Sequence, residues 1–193
     1  GSEQYRRGVA GIFYAYKVAG ACADSGASLD EVVKTTREAL DQIRTIGVAI
    51  SPCEVPGADK PSFTLPEDAM EIGMGIHGEA GIRRGPRKSA DEATEDMLEL
   101  LLDDISLSSS DTVSVLVNSL GATPLEELYI IYRKAADILK GKGISIYKPF
   151  VGRYATSMEM AGFSISVFRL NDTFKKYLDH PVWSPFIREG NWK

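Results

Sequence analysis

The chain has 193 residues, a net charge of −5 and 44% hydrophobic residues, which is typical of a globular protein with a sizeable core. The acidic balance gives no electrostatic reason to expect a nucleic-acid partner. No apolar run approaches the ~20 residues that span a bilayer, and no secretory leader is visible, so we expect no membrane partner and a cytoplasmic location. Gly1 and Ser2 resemble a cleaved tag, which leaves 3–193 as a single expected α/β domain.

The first 65 residues predict two helices and a β-like run. An Ala-rich, largely apolar helix is expected within 6–23. A capping box of Ser28 and Glu31 opens a helix over Leu29–Thr45. Its apolar stripe contains Val32, Val33, Thr36, Ala39, Leu40 and Ile43. A short strand at 46–51, a loop at 53–61 and a short β-prone piece at 62–65 follow.

The stretch Met70–Gly85 reads MEIGMGIHGEAGIRRG and concentrates glycine around a histidine. Ala69–Ile76 is β-prone and is expected to end just before His77, whereas Arg83–Lys88 is expected to be a basic loop. Glycine suits sharp bends and close approaches of the backbone. The stretch predicts a shaped loop that presents His77, and it lacks the Gly-Lys-Ser/Thr ending of a phosphate-binding P-loop.

The second half alternates helices and strands. A capping box of Ser89 and Glu92 opens a helix over Ala90–Ile105, and an apolar strand covers Thr112–Val117. A third capping box is expected at the next helix, with Thr123 as the cap, Pro124 at the first helical position and Glu126 completing the box. This helix is expected to run to about Lys140. Two strands (144–154, 163–170), a short helix (171–178) and an aromatic tail (183–193) follow. The expected class is α/β, a mixed β-sheet flanked by helices, with the last two strands forming an antiparallel pair at one edge.

His77 is the main candidate for chemistry. A neutral imidazole can act as a general base, a metal ligand or a nucleophile toward a carbonyl carbon. No second His or Cys lies at ligand spacing, which argues against a metal. Glu79 could orient the imidazole or bind a hydroxyl group. The alternatives without a functional role are a structural histidine in a turn for His77 and an exposed turn carboxylate for Glu79.

Other candidates are weaker. The segment 118–124 joins a buried strand to a helix start, which is a common ligand position, although a plain connection is the safer interpretation. Four basic residues could meet a phosphate or form a solvated loop: Arg83, Arg84, Arg87 and Lys88. His180 is expected to be a turn residue. Cys22 and Cys53 are expected to be reduced, buried apolar residues.

Five segments resemble the substrate-binding subunit of dihydroxyacetone kinases, the Dak1 family. They are RRGVAG, PSFTL, MEIGMGIHGEAGIRR, VLVNSLGATPLEELY and VGRYATSMEMAGFSISVFRL. The resemblance covers about 6–170, and GIHGE is its most specific motif. It implies that His77 forms a covalent hemiaminal with the carbonyl carbon of dihydroxyacetone, with Gly75, Gly78 and Glu79 as substrate-binding neighbours.

The resemblance also implies partners. The phosphoryl donor would bind with Mg on a separate L subunit or domain. This donor would be either ATP or an ADP that is re-phosphorylated by the phosphoenolpyruvate phosphotransferase system. The substrate-binding subunit itself would be a homodimer. This chain resembles only the C-terminal half of the family's subunit. The N-terminal half, with a Gly-rich substrate loop and a catalytic Asp, is not matched, so we expect the isolated chain to be inactive. A ligand-binding coactivator of transcription, or a kinase for a four-carbon ketose such as erythrulose, is the alternative.

Overall fold

A six-stranded mixed sheet runs through the structure, a computed structural model that describes residues 6–185 and 187–190. Gly1 and Ser2, interpreted as a tag remnant, and part of the expected C-terminal tail lie outside these residues. The helices are α1 (Ile12–Asp24), α2 (Leu29–Asp41), α3 (Ala90–Ile105), α4 (Leu125–Gly141) and α5 (Asp172–Asp179). The strands of the sheet are β1 (Ile43–Ala49), β2 (Ala69–Ile72), β3 (Arg83–Pro86), β4 (Thr112–Ser119), β5 (Ser145–Gly152) and β6 (Gly162–Arg169). Two short strands, β7 (Val182–Trp183) and β8 (Arg188–Glu189), form a separate hairpin. The expected mixed α/β class is confirmed.

The strand order β3-β2-β1-β6-β4-β5 corrects one expectation. We expected β5 and β6 to pair antiparallel at an edge, but β6 lies between β1 and β4, antiparallel to both, and β5 is a parallel edge strand beside β4. The physical reason is burial. β6 is buried from its first residue through Phe168, as a central strand must be, whereas β5 is exposed or half-buried at every position except Phe150, which suits an edge.

Helices cover both faces of the sheet and divide the core. The larger cluster lies between the sheet and the pair α3 and α4. The second cluster lies under α1, α2 and α5, where the rings of Tyr14 and Phe168 have centroids 5.2 Å apart. A third, small cluster contains Met74, Cys53 and Leu120 and supports the segment that follows β2. Cys22 and Cys53 are buried and free, as expected.

Two of the three expected capping boxes are present. Ser28 with Glu31, and Ser89 with Glu92, make the reciprocal side-chain and backbone hydrogen bonds at the starts of α2 and α3. The third is wrong, because Pro124 occupies the N-cap of α4 without a side-chain cap. The hydroxyl of Thr123 instead donates to the carbonyl of Gly162 at 2.7 Å and accepts from its N–H at 2.9 Å. A strand end therefore competes successfully for the hydroxyl that the sequence pattern assigns to the helix.

Three other boundaries differ from expectation. The second helix ends at Asp41 rather than Thr45, since Ile43 begins β1, and of its expected core stripe only Ala39 is buried within the helix. The β-prone run from Ala69 stops at Ile72, because Gly73 turns the chain with a φ of +83°. Residues 62–65 form no strand.

The segment expected to be a basic loop forms strand β3 instead. Arg84 lies directly across from Glu71 of β2, and their side chains form an ion pair. This pair favours the antiparallel strand although the segment has no apolar alternation.

Candidate functional site

Residues 73–81 join β2 to β3 and carry His77 near their midpoint; this segment is called the histidine loop. It begins at Gly73, whose N–H donates to the carbonyl of Gly47 at 2.7 Å. It closes where the N–H of Ile82 donates to the carbonyl of Ile72 at 2.9 Å. His77 therefore lies five positions beyond the end of β2, rather than at or just past a strand end as expected, on a loop whose base is fixed by the sheet.

The His77 side chain extends into solvent, with 84% of its surface exposed. Its Nδ1 lies 3.4 Å from Oε1 of Glu79, and its backbone N–H donates to Oε2 of the same carboxylate at 3.0 Å. A carboxylate beside Nδ1 favours the tautomer that carries its proton there. The other ring nitrogen, Nε2, then has a free lone pair.

The glycines expected to bind substrate shape the loop around Glu79. The N–H of Gly75 donates to the carbonyl of Glu79 at 3.1 Å, and a Cβ on Gly75 would lie 2.2 Å from Oε2 of that residue. Gly78 has a φ of +86°, which a side chain would strain, and its N–H donates to the carbonyl of Gly75. The structure thus brings His77, Gly75, Gly78 and Glu79 together in one turn.

The loop offers little to a phosphate group. Six of its N–H groups are already hydrogen-bonded within the chain, those of Gly73, Gly75, Ile76, His77, Gly78 and Gly81. A phosphate-binding loop needs such groups turned outward and free. The geometry fits recognition by a side chain better than an anion cradle built from the backbone.

Glu79 is predicted to stay ionised in mildly acidic solution. Its pKa lies below the ordinary value, because its own backbone N–H and then that of His77 stabilise the charged form. A lowered pKa contributes stability above the unfolded value of about 4.3 and loses it as the pH falls through the folded value. The orientation of the His77 ring should therefore hold from pH 7 down to about 4.3. Carboxyl ¹³C NMR titration measures this directly, and a midpoint at or above the ordinary value would contradict the hydrogen-bonding pattern.

The loop rests on segments that the sequence reasoning did not link to it. The N–H of Ile76 points to the carbonyl of Gly8 at 3.4 Å, and Phe63 lies in contact range of Gly78. Below it, the thiol of Cys53 lies 3.0 Å from the hydroxyl of Ser62. These contacts join parts of the chain that are distant in sequence, so no local pattern indicates them.

The missed residue with the clearest sequence signal is Glu71. It is an acidic residue inside the apolar run of β2, and only 4% of it is exposed. A buried carboxylate requires partners, which marks such a position for attention.

The basic residues of 83–88 are occupied by ion pairs and hydrogen bonds. Arg83 and Lys88 both contact Asp96 of α3, and Arg84 contacts Glu71. Arg87 donates to the carbonyl of Ile50. These contacts favour the structural interpretation over a phosphate site. His180 ends α5 before Pro181, and its Nε2 lies 2.7 Å from Asp24.

The second candidate segment borders a cleft of about 450 Å³ between the ends of β4 and β5 and the start of α4. Its walls include Gly121, Thr123, Leu128 and Arg153. Asn118 does not line the cleft; its buried amide instead fastens the turn that follows β5. The part of the segment nearest the strand is therefore structural.

Two further findings apply to residues 6–185 and 187–190. No group of three or more His, Cys, Asp and Glu side chains there could hold a metal ion. No helix in this range combines the length and apolarity needed to cross a bilayer.

Comparison with known proteins gives consistent matches. The Dak1 domain family matches residues 1–186. The dihydroxyacetone-binding subunit DhaK of the PTS-dependent dihydroxyacetone kinase 2 of Listeria innocua is 41% identical, over 95% of this chain and 55% of its own length. The L-erythrulose kinase of Pectobacterium atrosepticum is 39% identical, over 97% of this chain and 32% of its own. This chain therefore spans about half of the first relative and a third of the second.

Solved structures agree. The dihydroxyacetone kinase operon co-activator Dha-DhaQ superposes with a TM-score of 0.84 at 33% identity, over 90% of this chain and 54% of that one. The dihydroxyacetone kinase of C. freundii in complex with AMP-PNP and Mg²⁺ superposes with a TM-score of 0.79 at 27% identity, over 96% of this chain and 35% of that one. The fold, the extent of the family match and the identity to these relatives agree, and the chain belongs to the Dak1 family.

Proposed function

We propose that this chain is the ketone-binding part of a dihydroxyacetone kinase, in which His77 holds the substrate covalently. The observation that carries the proposal is the geometry of the histidine loop. Glu79 lies beside Nδ1 and leaves Nε2 of a highly exposed imidazole free. The relatives named for dihydroxyacetone and erythrulose support a short ketose as the ligand.

The bond-forming step follows from ordinary carbonyl chemistry. The Nε2 lone pair attacks the carbonyl carbon, and the π electrons move onto the carbonyl oxygen. That oxygen gains a proton while Nδ1 releases one toward the Glu79 carboxylate or water, so a neutral hemiaminal forms and no group leaves. Glycerol has no carbonyl carbon and cannot form this bond. The bond also fixes the terminal hydroxyl group in place for phosphoryl transfer.

Residues outside this chain would complete the reaction. We propose that the remaining pocket residues lie in an N-terminal half of the subunit, with this chain as the C-terminal half, as the resemblance to the family implies. This chain spans only 55% of the Listeria relative's length, which leaves room for such a half. The histidine loop has little free backbone N–H for phosphate, so ATP, or an ADP, with Mg would bind on a partner subunit or domain. The isolated chain is then expected to bind ketone without turning it over, and the assembled subunit to be a homodimer.

A ligand-binding coactivator is the second candidate, favoured by the TM-score of 0.84 to a co-activator of a dihydroxyacetone kinase operon. A coactivator and a kinase would share ketone binding and differ in turnover. Supplying the other half of the subunit and a nucleotide-loaded partner should produce ketose phosphate only for the kinase. A well-folded mixture that binds ketone without turnover would favour the coactivator.

The covalent step is tested with ketose labelled with ¹³C at the carbonyl and protein labelled with ¹⁵N in histidine. We expect a tetrahedral carbon signal with one-bond coupling to a histidine nitrogen. That coupling distinguishes the adduct from the free hydrate, which is also tetrahedral. Erythrulose labelled in the same way tests the four-carbon alternative, and glycerol labelled at its central carbon is the control. Binding without ¹³C–¹⁵N coupling would refute the hemiaminal.

A further inference from the structure

Glu71 of β2 is a buried carboxylate with both oxygens engaged. Its Oε1 accepts from the backbone N–H of Gly81 at 2.6 Å. Its Oε2 accepts from Nε and Nη2 of Arg84 at 2.8 and 2.5 Å. Its side chain is 6% exposed, whereas that of Arg84 is 48% exposed. The carboxylate therefore faces the end of the histidine loop from inside the protein, and the arginine covers it from the solvent side.

The two limbs of the histidine loop are attached differently. The limb before His77 is held by backbone bonds, from Gly73 to Gly47 and from Ile76 to Gly8. The limb after Glu79 returns to the sheet through Gly81, whose N–H is held by the Glu71 side chain. A Cβ on Gly81 would lie 2.4 Å from the carbonyl oxygen of Ile72, so this limb passes directly over β2. Beside the backbone bond from Ile82 to Ile72 that closes the loop, one side chain thus holds the returning limb against the sheet.

From these contacts we infer that Glu71 is a positioning residue for His77. By holding Gly81, Glu71 adds a side-chain anchor to the backbone bonds that hold the limb carrying Glu79, and Glu79 in turn orients the His77 ring. Arg84 keeps the carboxylate aimed at Gly81 through two hydrogen bonds. The inference rests on the proposed role of His77 and extends the site to two residues beyond the loop.

A purely structural role predicts something different. Glu71 and Arg84 are direct partners in the β2–β3 ladder, and a salt bridge there would stabilise the edge strand alone. The ion pair Arg83–Asp96 also anchors β3, at 2.6 Å, and neither residue belongs to the histidine loop. Arg83→Ala is therefore a matched control, because it weakens the same strand and leaves the Gly81 contact in place.

The experiment compares Glu71→Ala, Glu71→Gln and Arg83→Ala in the full 193-residue chain. Without ligand, ¹⁵N signals of the His77 ring report its tautomer, and relaxation dispersion at the Glu79 amide reports loop motion. With dihydroxyacetone, the concentration giving half-maximal adduct is measured. We expect Glu71→Ala to mix the ring tautomers and to raise that concentration by roughly tenfold, as the loss of a buried charge-assisted hydrogen bond would. Glu71→Gln keeps an oxygen for Gly81 but replaces the oxygen that accepts from Arg84 with an N–H₂ donor, so we expect a smaller rise than for Glu71→Ala.

The outcomes separate the two proposals. Equal effects of Glu71→Ala and Arg83→Ala on the ring signals, or no effect of either, would overturn the positioning role. If the unaltered chain forms no adduct, the proposed function fails, whereas the ligand-free ring signals still decide whether Glu71 positions His77. A ring perturbed more by Glu71→Ala than by either Glu71→Gln or Arg83→Ala supports the inference.

Discussion

Replacing His77 with alanine should eliminate the covalent ketose adduct and weaken apparent ketose binding by roughly 100-fold or more, because the nucleophile and its positioning effect are removed. The fold should be almost unaffected. The side chain is 84% exposed, and substitutions at such positions usually change the free energy of unfolding by less than about 0.5 kcal/mol. Intact-protein mass spectrometry after trapping measures the adduct, and chemical denaturation measures the stability.

The chain supplies its own control, since it contains only two histidines. His180→Ala removes the other imidazole. His180 follows the last residue of α5, outside the histidine loop, and pairs with Asp24 at the end of α1. This variant should keep the adduct at the level of the unaltered chain. An adduct that survives His77→Ala, or that disappears with His180→Ala, would show that the nucleophile is assigned to the wrong residue.

Asn118→Ala should produce a large loss of stability for the removal of a single polar side chain. Asn118 is fully buried in β4, where its Oδ1 accepts from the N–H groups of Tyr154 and Ala155 at 2.8 and 2.9 Å. Its Nδ2 donates to the carbonyl of Ala155 and the hydroxyl of Ser164. Alanine would leave these groups unpaired, at a cost of about 3 kcal/mol or more. Urea denaturation gives the change in the free energy of unfolding.

A matched asparagine substitution isolates the effect of burial. Asn171 is exposed and caps α5 through one hydrogen bond, from the N–H of Phe174 at 2.8 Å. Asn171→Ala should cost only about 1 kcal/mol, the usual value for an N-cap. Comparable losses at the two positions would mean that water replaces the buried amide at Asn118, which would contradict its structural role.

Local chemistry in the sequence predicted much of this fold, and non-local competition explains the misses. The boxes at Ser28 and Ser89 depend on residues three positions apart, so they were visible in the sequence. Thr123 satisfies the same pattern, but its hydroxyl bonds to Gly162, a residue that only the folded sheet brings near. The position of β6 between β1 and β4 is likewise set by burial across the whole sheet.

The candidate site shows the same division. Clustered glycines and the GIHGE motif indicate where the candidate imidazole lies and which residues surround it. They do not show that Glu79 faces Nδ1 or that Glu71 holds Gly81, because both depend on the path of the loop above the sheet. The strand at Arg83 was missed because its partner interaction is ionic, whereas strand patterns rely on apolar alternation.

The central location of β6 has a consequence for how the protein acquires its structure. Ile43 pairs with Phe168 and Ala49 with Gly162, so the middle of the sheet joins residues more than a hundred positions apart. Closing such long loops is entropically costly and slows folding relative to helical proteins. The β1 and β4 sides can organise separately, but each keeps an unpaired apolar edge until β6 is inserted between them. During synthesis, the β1 and β4 sides therefore expose aggregation-prone edges until β6 has left the ribosome. We expect chaperone protection to matter most in that interval.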